Sequence, residues 1–205
     1  MNSDAWLWQL AGLFLLLFWL LQRLLRGRWG LLVSALGAAL LLCVPIFGHP
    51  ARYWIAALSA NVSVPLVALL VASIAARAGF PPLFRAREWR AAWIFGALSA
   101  LVLYPSALGF GLRNFDSYAL GWPWLDSAMS LALFGFVALT SAFLVYRGNR
   151  FGWVLLLSSV AYLFRIQESQ NFWDYLVDPL YAALSLLACL AMILRRRSVG
   201  LHFSA

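Results

Sequence analysis

The stretch RLLRGRWGLLVSALGAALLLCVPIFGHPARYWIAALSANVSVPLVALLVASIAARAGFPPLFRAREWR, residues 23–90, decides the fold. It opens on Arg23, Arg26 and Arg28 and runs apolar from Gly30 to Phe47. It then turns through Gly48-His49-Pro50, runs apolar again from Ala51 to Ala76, and closes on Arg77, Arg85, Arg87 and Arg90. Crossing the hydrocarbon layer takes about 20 residues of helix, so each run reads as one membrane crossing. The basic residues stand at the same end of both runs, so the two crossings are antiparallel.

The same alternation extends outward in both directions. Apolar segments cover Ala5–Leu25, Gly30–Phe47, Ala51–Ala76, Ala91–Phe110, Asp126–Tyr146, Phe151–Ile166 and Pro179–Leu194. Arg147 and Arg150 follow the fifth segment, and Arg195, Arg196 and Arg197 follow the last. Twelve of the fifteen basic residues therefore fall on one side, leaving Arg52, Arg113 and Arg165 on the other with Asp4, Asp116, Asp126, Glu168, Asp174 and Asp178. Basic residues accumulate in cytoplasmic turns. The expectation is an all-α, polytopic membrane bundle of seven transmembrane helices, N-terminus outside and C-terminus cytoplasmic. It forms one domain over residues 1–205 with no separate soluble domain.

Composition agrees. The chain is 64% hydrophobic and 11% charged, with mean hydropathy +0.86, far above the apolar share of about 45–50% in soluble domains. Trp29, Trp89, Trp93 and Trp153 flank the Arg clusters, and Trp6, Trp8, Trp54, Trp122, Trp124 and Trp173 flank the acidic turns, as interfacial rings do. The net charge of +8 thus marks topology, and no nucleic-acid partner is expected. The opening Met-Asn-Ser-Asp lacks the basic stretch of a cleaved leader, so the first segment is expected to stay as a helix.

The same composition excludes chemistries. All basic residues are Arg, which removes Schiff-base enzymes, retinal proteins and Lys-bearing phosphate loops. His49 and His202 lie outside the apolar runs and far apart, so neither a paired haem ligation nor a zinc helix can be built. Cys43 and Cys189 stand singly in apolar segments and read as core residues. No cofactor or metal is expected.

Local signals place helix ends and seams. Asp178-Pro179 is an N-cap followed by proline at the first helical position; Asp126 precedes the fifth segment, and Ser3 or Asp4 the first. The sixth segment is the shortest, and Gln167, Glu168 and Gln170 are expected to prolong its helix into the headgroup layer. Ser34/Ala38, Ala35/Ala39, Ala68/Ala72/Ala76, Gly96/Ala100 and Ala138/Ala142 are small residues four apart, suited to close helix contact. The likeness of residues 54–60 to residues 93–100 stops at those stretches and is a coincidence of a biased alphabet.

Two places carry candidate sites. Within the third segment, Asn61, Ser63 and Pro65 form an intramembrane polar spot, because Pro65 leaves the carbonyl of Asn61 without its helical partner. It reads as a kink bonded to a neighbouring helix or as a broken-helix binding point. Tyr104-Pro105-Ser106 poses the same question more weakly. The second place is the outer stretch 165–179. Read as a helix, it pairs Arg165 with Glu168 and aligns Asn171, Asp174 and Asp178 on one face beside Tyr175. Arg113, Asn114, Asp116 and Tyr118 approach from another outer turn, completing a rim to which Trp173, Tyr175, Trp122 and Trp124 add aromatic faces. That rim is an ion-paired lid, a docking surface for another membrane or periplasmic protein or for a headgroup, or an acid–base site.

The expected function is a non-catalytic accessory or interaction subunit of a bacterial cell-envelope system in the inner membrane, with the lipid bilayer as its solvent. The alternatives are a small-solute transporter or channel using the Asn61–Pro65 break, and an intramembrane enzyme acting on a lipid or sugar headgroup. No activated nucleophile supports the last.

Overall fold

The computed structural model describes residues 3–25, 29–58, 61–110, 116–122 and 128–201. Over them the chain is all-helical apart from a two-stranded hairpin. The order is α1 Ser3–Leu24, α2 Gly30–Cys43, β1 Pro45–Ile46, β2 His49–Pro50, α3 Ala51–Leu58, α4 Val64–Arg77 and α5 Ala86–Ala107. A 3-10 turn Ser117–Gly121 follows, then α6 Ala128–Tyr146, α7 Phe151–Leu163, α8 Phe172–Leu176 and α9 Pro179–Leu201.

Three expected segments are reshaped by local chemistry. The second stops at Cys43, because Val44 precedes a proline and takes extended backbone (φ −61°, ψ 125°). The third is broken into α3 and α4. The sixth ends at Leu163, and Arg165 turns left-handed at φ 50°, so Gln167, Glu168 and Gln170 do not prolong the helix. Among the described residues one helix, Ala5–Leu24, is by itself long and apolar enough to cross a membrane. Gly30–Cys43, Val64–Arg77, Leu131–Tyr146, Phe151–Leu163 and Pro179–Arg195 are apolar but shorter. Helix length alone therefore shows an all-helical chain with one candidate span, and leaves seven crossings to be argued from other features.

The central helix is α4, which packs against α1, α7, α8 and α9. Its Leu66, Leu69 and Leu70 are buried in one cluster with Phe151 and Leu155 of α7 and Phe172 and Leu176 of α8. The longest seam joins α5 to α9. Gly96 permits it, since a Cβ there would meet Ser185 and the Tyr181 ring. Tyr181 then reaches across to donate to the Ala92 carbonyl at 2.6 Å. Ser34 and Ala38 are fully buried on α2, which packs on α1. Ala138 and Ala142 point outward, and α6 meets α7 instead where a Cβ at Gly152 would lie 2.8 Å from the Ser141 carbonyl oxygen. Spacing by four supplies small residues without saying which way they face.

The Arg-bearing turns meet one another at one end of the molecule. Arg77 donates to the Gln22 carbonyl at 2.6 Å, Arg87 to Gly148 at 2.7 Å, and Arg150 to Leu83 at 2.8 Å. Glu88, 1% exposed, accepts from the backbone amides of Arg85 at 2.5 Å and Arg150 at 3.3 Å. The acid-bearing turns gather at the opposite end. Of the other expected caps, Asp126 and the Asp4 side chain lie outside what the structure describes. Between the two ends the helix flanks carry exposed large apolar side chains, among them Leu40 (69%), Leu139 (74%), Phe143 (61%) and Leu187 (63%).

Candidate functional site

The two candidate places are one place. Helix α3 ends at Leu58, and α4 begins at Val64 with Ser63 as its N-cap, the Ser63 hydroxyl accepting from Leu66 at 3.4 Å. Pro65 sits in the first turn of α4, where no amide donor is required. The break thus leaves the groups of Val62 and Ser63 to be satisfied from elsewhere. Trp8 of α1 donates to the Val62 carbonyl at 2.9 Å, and Gln167 donates to the same oxygen at 3.1 Å. The Ser63 amide donates to one oxygen of Asp178 at 2.8 Å. The other oxygen of that carboxylate caps α9, accepting from Leu180 at 2.8 Å and Tyr181 at 3.0 Å. One carboxylate, 2% exposed, therefore starts two helices.

Above this joint lies a plug. The stretch 165–178 is not one helix, so the Arg165–Glu168 pairing and the shared face of Asn171, Asp174 and Asp178 do not form. Residues 164–171 form turns and irregular backbone, and α8 has only five residues. Asn171 caps α8 by accepting from Trp173 at 2.9 Å while its amide donates to the Tyr118 carbonyl at 2.8 Å. Trp173 donates to the Ser117 carbonyl at 2.8 Å. The Tyr175 hydroxyl accepts from the Gln167 amide at 3.2 Å and donates to the Ser169 carbonyl at 3.2 Å. Gly121 lets the 3-10 turn close on α8, since a Cβ there would overlap the Asn171 side-chain oxygen. That turn is held to α5 by the hydrogen bond between the Ser106 and Ser117 hydroxyls, the one that accepts in the pair being free to donate to the Leu103 carbonyl. The Tyr104-Pro105-Ser106 motif thus anchors the plug, and α5 continues through Pro105.

The expected rim residues divide into three groups. Asn171, Asp178, Ser63 and Pro65 are buried and Asn61 is half-buried. Trp173 and Tyr175 are buried too, which corrects their reading as open stacking faces. Arg165, Glu168 and Asp116 remain exposed. Asp116 has a local role, accepting from the Tyr118 amide at 2.9 Å to start the 3-10 turn. Asp174 lies between these groups, half-buried and accepting from the Tyr118 hydroxyl at 3.0 Å. Burial raises the Asp174 carboxyl, and burial with the Asp174 charge pushes the Tyr118 phenol up to about 12, so that phenol keeps its proton and stays a donor. Arg113, Asn114 and Trp124 lie outside the described residues, while Trp122 is exposed.

Of the clefts that open near the acid-bearing end, two carry an Arg in their lining. One of about 340 Å³ has Arg165, Ser169 and Gln170 over Leu131, Phe134 and Tyr162. The other, about 480 Å³, lies between α1 and the hairpin with α3. No group of three or more His, Cys, Asp or Glu side chains able to hold a metal occurs among the described residues. Sequence reasoning missed Trp8, Gln167 and Ser117 as partners of the joint and plug. Their only local signal is position next to polar turns.

The arrangement defines a helical protein with a hydrogen-bonded polar cap at one end, a basic end opposite, and apolar flanks between. No family model matches the chain, and no curated protein or solved structure matches it either.

Proposed function

We propose that this chain is a multi-pass membrane protein crossing seven times, N-terminus outside and C-terminus cytoplasmic, and that it acts as a non-catalytic interaction subunit of an envelope assembly, bacterial inner membrane being the expected setting. In this reading α3 with α4 makes the third crossing, and α7 with the irregular segment after it makes the sixth. A 13-residue helix such as α7 rises only about 20 Å at ~1.5 Å per residue, less than the ~30 Å hydrocarbon layer. Non-helical backbone at membrane depth is tolerated where protein buries it and supplies its hydrogen bonds. Trp8, Gln167, Asn171 and Asp178 supply such bonds here.

The observation that carries the reading is the contrast between cap and flanks. At the Asn61–Pro65 break the Val62 carbonyl and the Ser63 amide are taken up by Trp8, Gln167 and Asp178, and the Asp178 carboxylate accepts from the backbone amides of Ser63, Leu180 and Tyr181. Large apolar side chains meanwhile cover the outside of the helices and suit contact with lipid tails or partner helices. The support is for a joint and a closed cap, with interaction through the helix flanks and the exposed Arg165, Glu168 and Asp116.

Affinity purification from gently solubilised membranes tests it. A partner recovered in fixed ratio, and lost on charge reversal at Arg165 and Glu168 together, is the expected result. Solute flux in proteoliposomes that stops on substitution of Asn61 contradicts it in favour of transport.

A further inference from the structure

The larger cleft has a build that the joint and plug do not use. Arg52 and Gln9 line it together with Leu10, Leu13 and Ala56; Arg52 is exposed, Gln9, Leu10 and Ala56 are half-buried, and Leu13 is buried. Arg52 is exposed and makes no hydrogen bond or ion pair among the described residues. It is also one of only three Arg on the acid-bearing side, placed against the charge bias that arranges the other twelve. The adjoining hairpin fixes the level of the cleft. His49 stacks on Tyr53 with ring centroids 4.7 Å apart, Phe47 meets Trp54 edge-on at 6.2 Å, and Trp54 donates to the Ile46 carbonyl at 2.9 Å. Exposed aromatics tied in this way form the belt that settles among headgroups.

A lone guanidinium at headgroup level beside an apolar lining complements one amphiphile, a phosphate diester carrying an acyl chain. We propose that the cleft between α1 and α3 binds an outer-leaflet anionic glycerophospholipid, its phosphate on Arg52 and Gln9 and one acyl chain along Leu10, Leu13 and Ala56. Guanidinium recognises phosphate through paired, charge-assisted hydrogen bonds, and removing one such group weakens binding about tenfold. The lipid bound at this cleft would fasten α3 to α1 beside the break.

The inference rests on the membrane reading above, so the two are tested separately. Flotation of the full-length protein with phosphatidylglycerol vesicles tests the membrane reading alone. Lipid binding is then read by native mass spectrometry of delipidated, detergent-solubilised protein titrated with phosphatidylglycerol. The expected result is a saturable single adduct, weakened about tenfold in Arg52→Gln and also weakened in Ala57→Phe, which narrows the cleft without touching the charge. Thermal unfolding checks that both variants fold, and the second keeps the test open should the first fail. Equal adducts in the parent and in the folded variants, or equal binding of uncharged diacylglycerol, overturn the proposal. Displacement by glycerol 3-phosphate at matched concentration also overturns it, by pointing to a soluble phosphate as the ligand.

Discussion

Each end of the molecule is held by one buried carboxylate, and the two work differently. At the basic end Glu88 takes the amides of Arg85 and Arg150, while Arg77, Arg87 and Arg150 reach backbone carbonyls with long side chains. Of those three, Arg77, Arg87 and Arg150 are all exposed, so the charges stay in water and only the hydrogen bonds are used by the fold. At the acidic end Asp178 takes the amides of Ser63, Leu180 and Tyr181, and the surrounding Asn171, Trp173 and Tyr175 are themselves buried. The basic end is a rim of clasps and the acidic end is a filled cap. A short side chain brings its charge inside with it, and the protein must then supply every partner; a long one does not impose that demand.

That comparison predicts unequal costs. Asp178→Ala strips three amides of their acceptor, those of Ser63 and Tyr181 buried and that of Leu180 partly so, and is expected to cost on the order of 3 kcal/mol, read as the loss of folded fraction on thermal unfolding in detergent. Asp178→Asn, which keeps an acceptor oxygen, is expected to recover part of that loss. A change no larger than that of an exposed-site substitution such as Glu168→Ala would remove the joint from the account.

Glu88→Ala releases two amides rather than three, and about 2 kcal/mol is expected, with Glu88→Gln close to the parent. Were Glu88→Ala costlier than Asp178→Ala, the ranking of the two ends would be reversed. Gly121→Ala drives a methyl into the Asn171 side chain, and overpacking of this kind costs about 1–3 kcal/mol. Faster proteolysis within residues 164–171 is the expected sign that the plug has lifted, and unchanged protection would place that contact elsewhere.

The smallest effect is a pH dependence. The Asp174 carboxyl is raised in the folded state by burial above its ordinary 3.8. A group that binds its proton more tightly when folded contributes stability that is complete below 3.8 and lost as pH climbs through the higher folded value. Comparing unfolding of the parent and Asp174→Asn across the acid range should show a steeper decline in the parent. Identical slopes would place Asp174 in water. Tyr118→Phe, which removes the donor at 3.0 Å, is expected to raise the Asp174 value further.

Much of the joint was legible locally. Asp178-Pro179 announced a capped helix start and Asn61-Ser63-Pro65 announced a break, because caps and prolines act within a few residues of themselves. Their meeting across 115 positions of chain was not legible, since spacing along a sequence says nothing about which orphaned amide finds which carboxylate. The stretch after α7 was misread as helix because its polar residues are compatible with one. The left-handed turn that ends α7 falls on Arg165, where no glycine marks it. Glu88, an acid among arginines, was legible only as an exception to the charge pattern, and its burial shows why it is there.

In the orientation we propose, the acid-bearing end with its filled cap faces outward and the Arg-bearing end faces the cytoplasm. Single cysteines at Glu168, Asn171 and Gly148, in a background without Cys43 and Cys189, test it by labelling intact cells with a membrane-impermeant maleimide. Rapid labelling is expected at residue 168, protection at residue 171 until the protein is unfolded, and labelling at residue 148 only after the membrane is permeabilised. Labelling of residue 148 from outside, or of residues 168 and 148 from the same side, would contradict it.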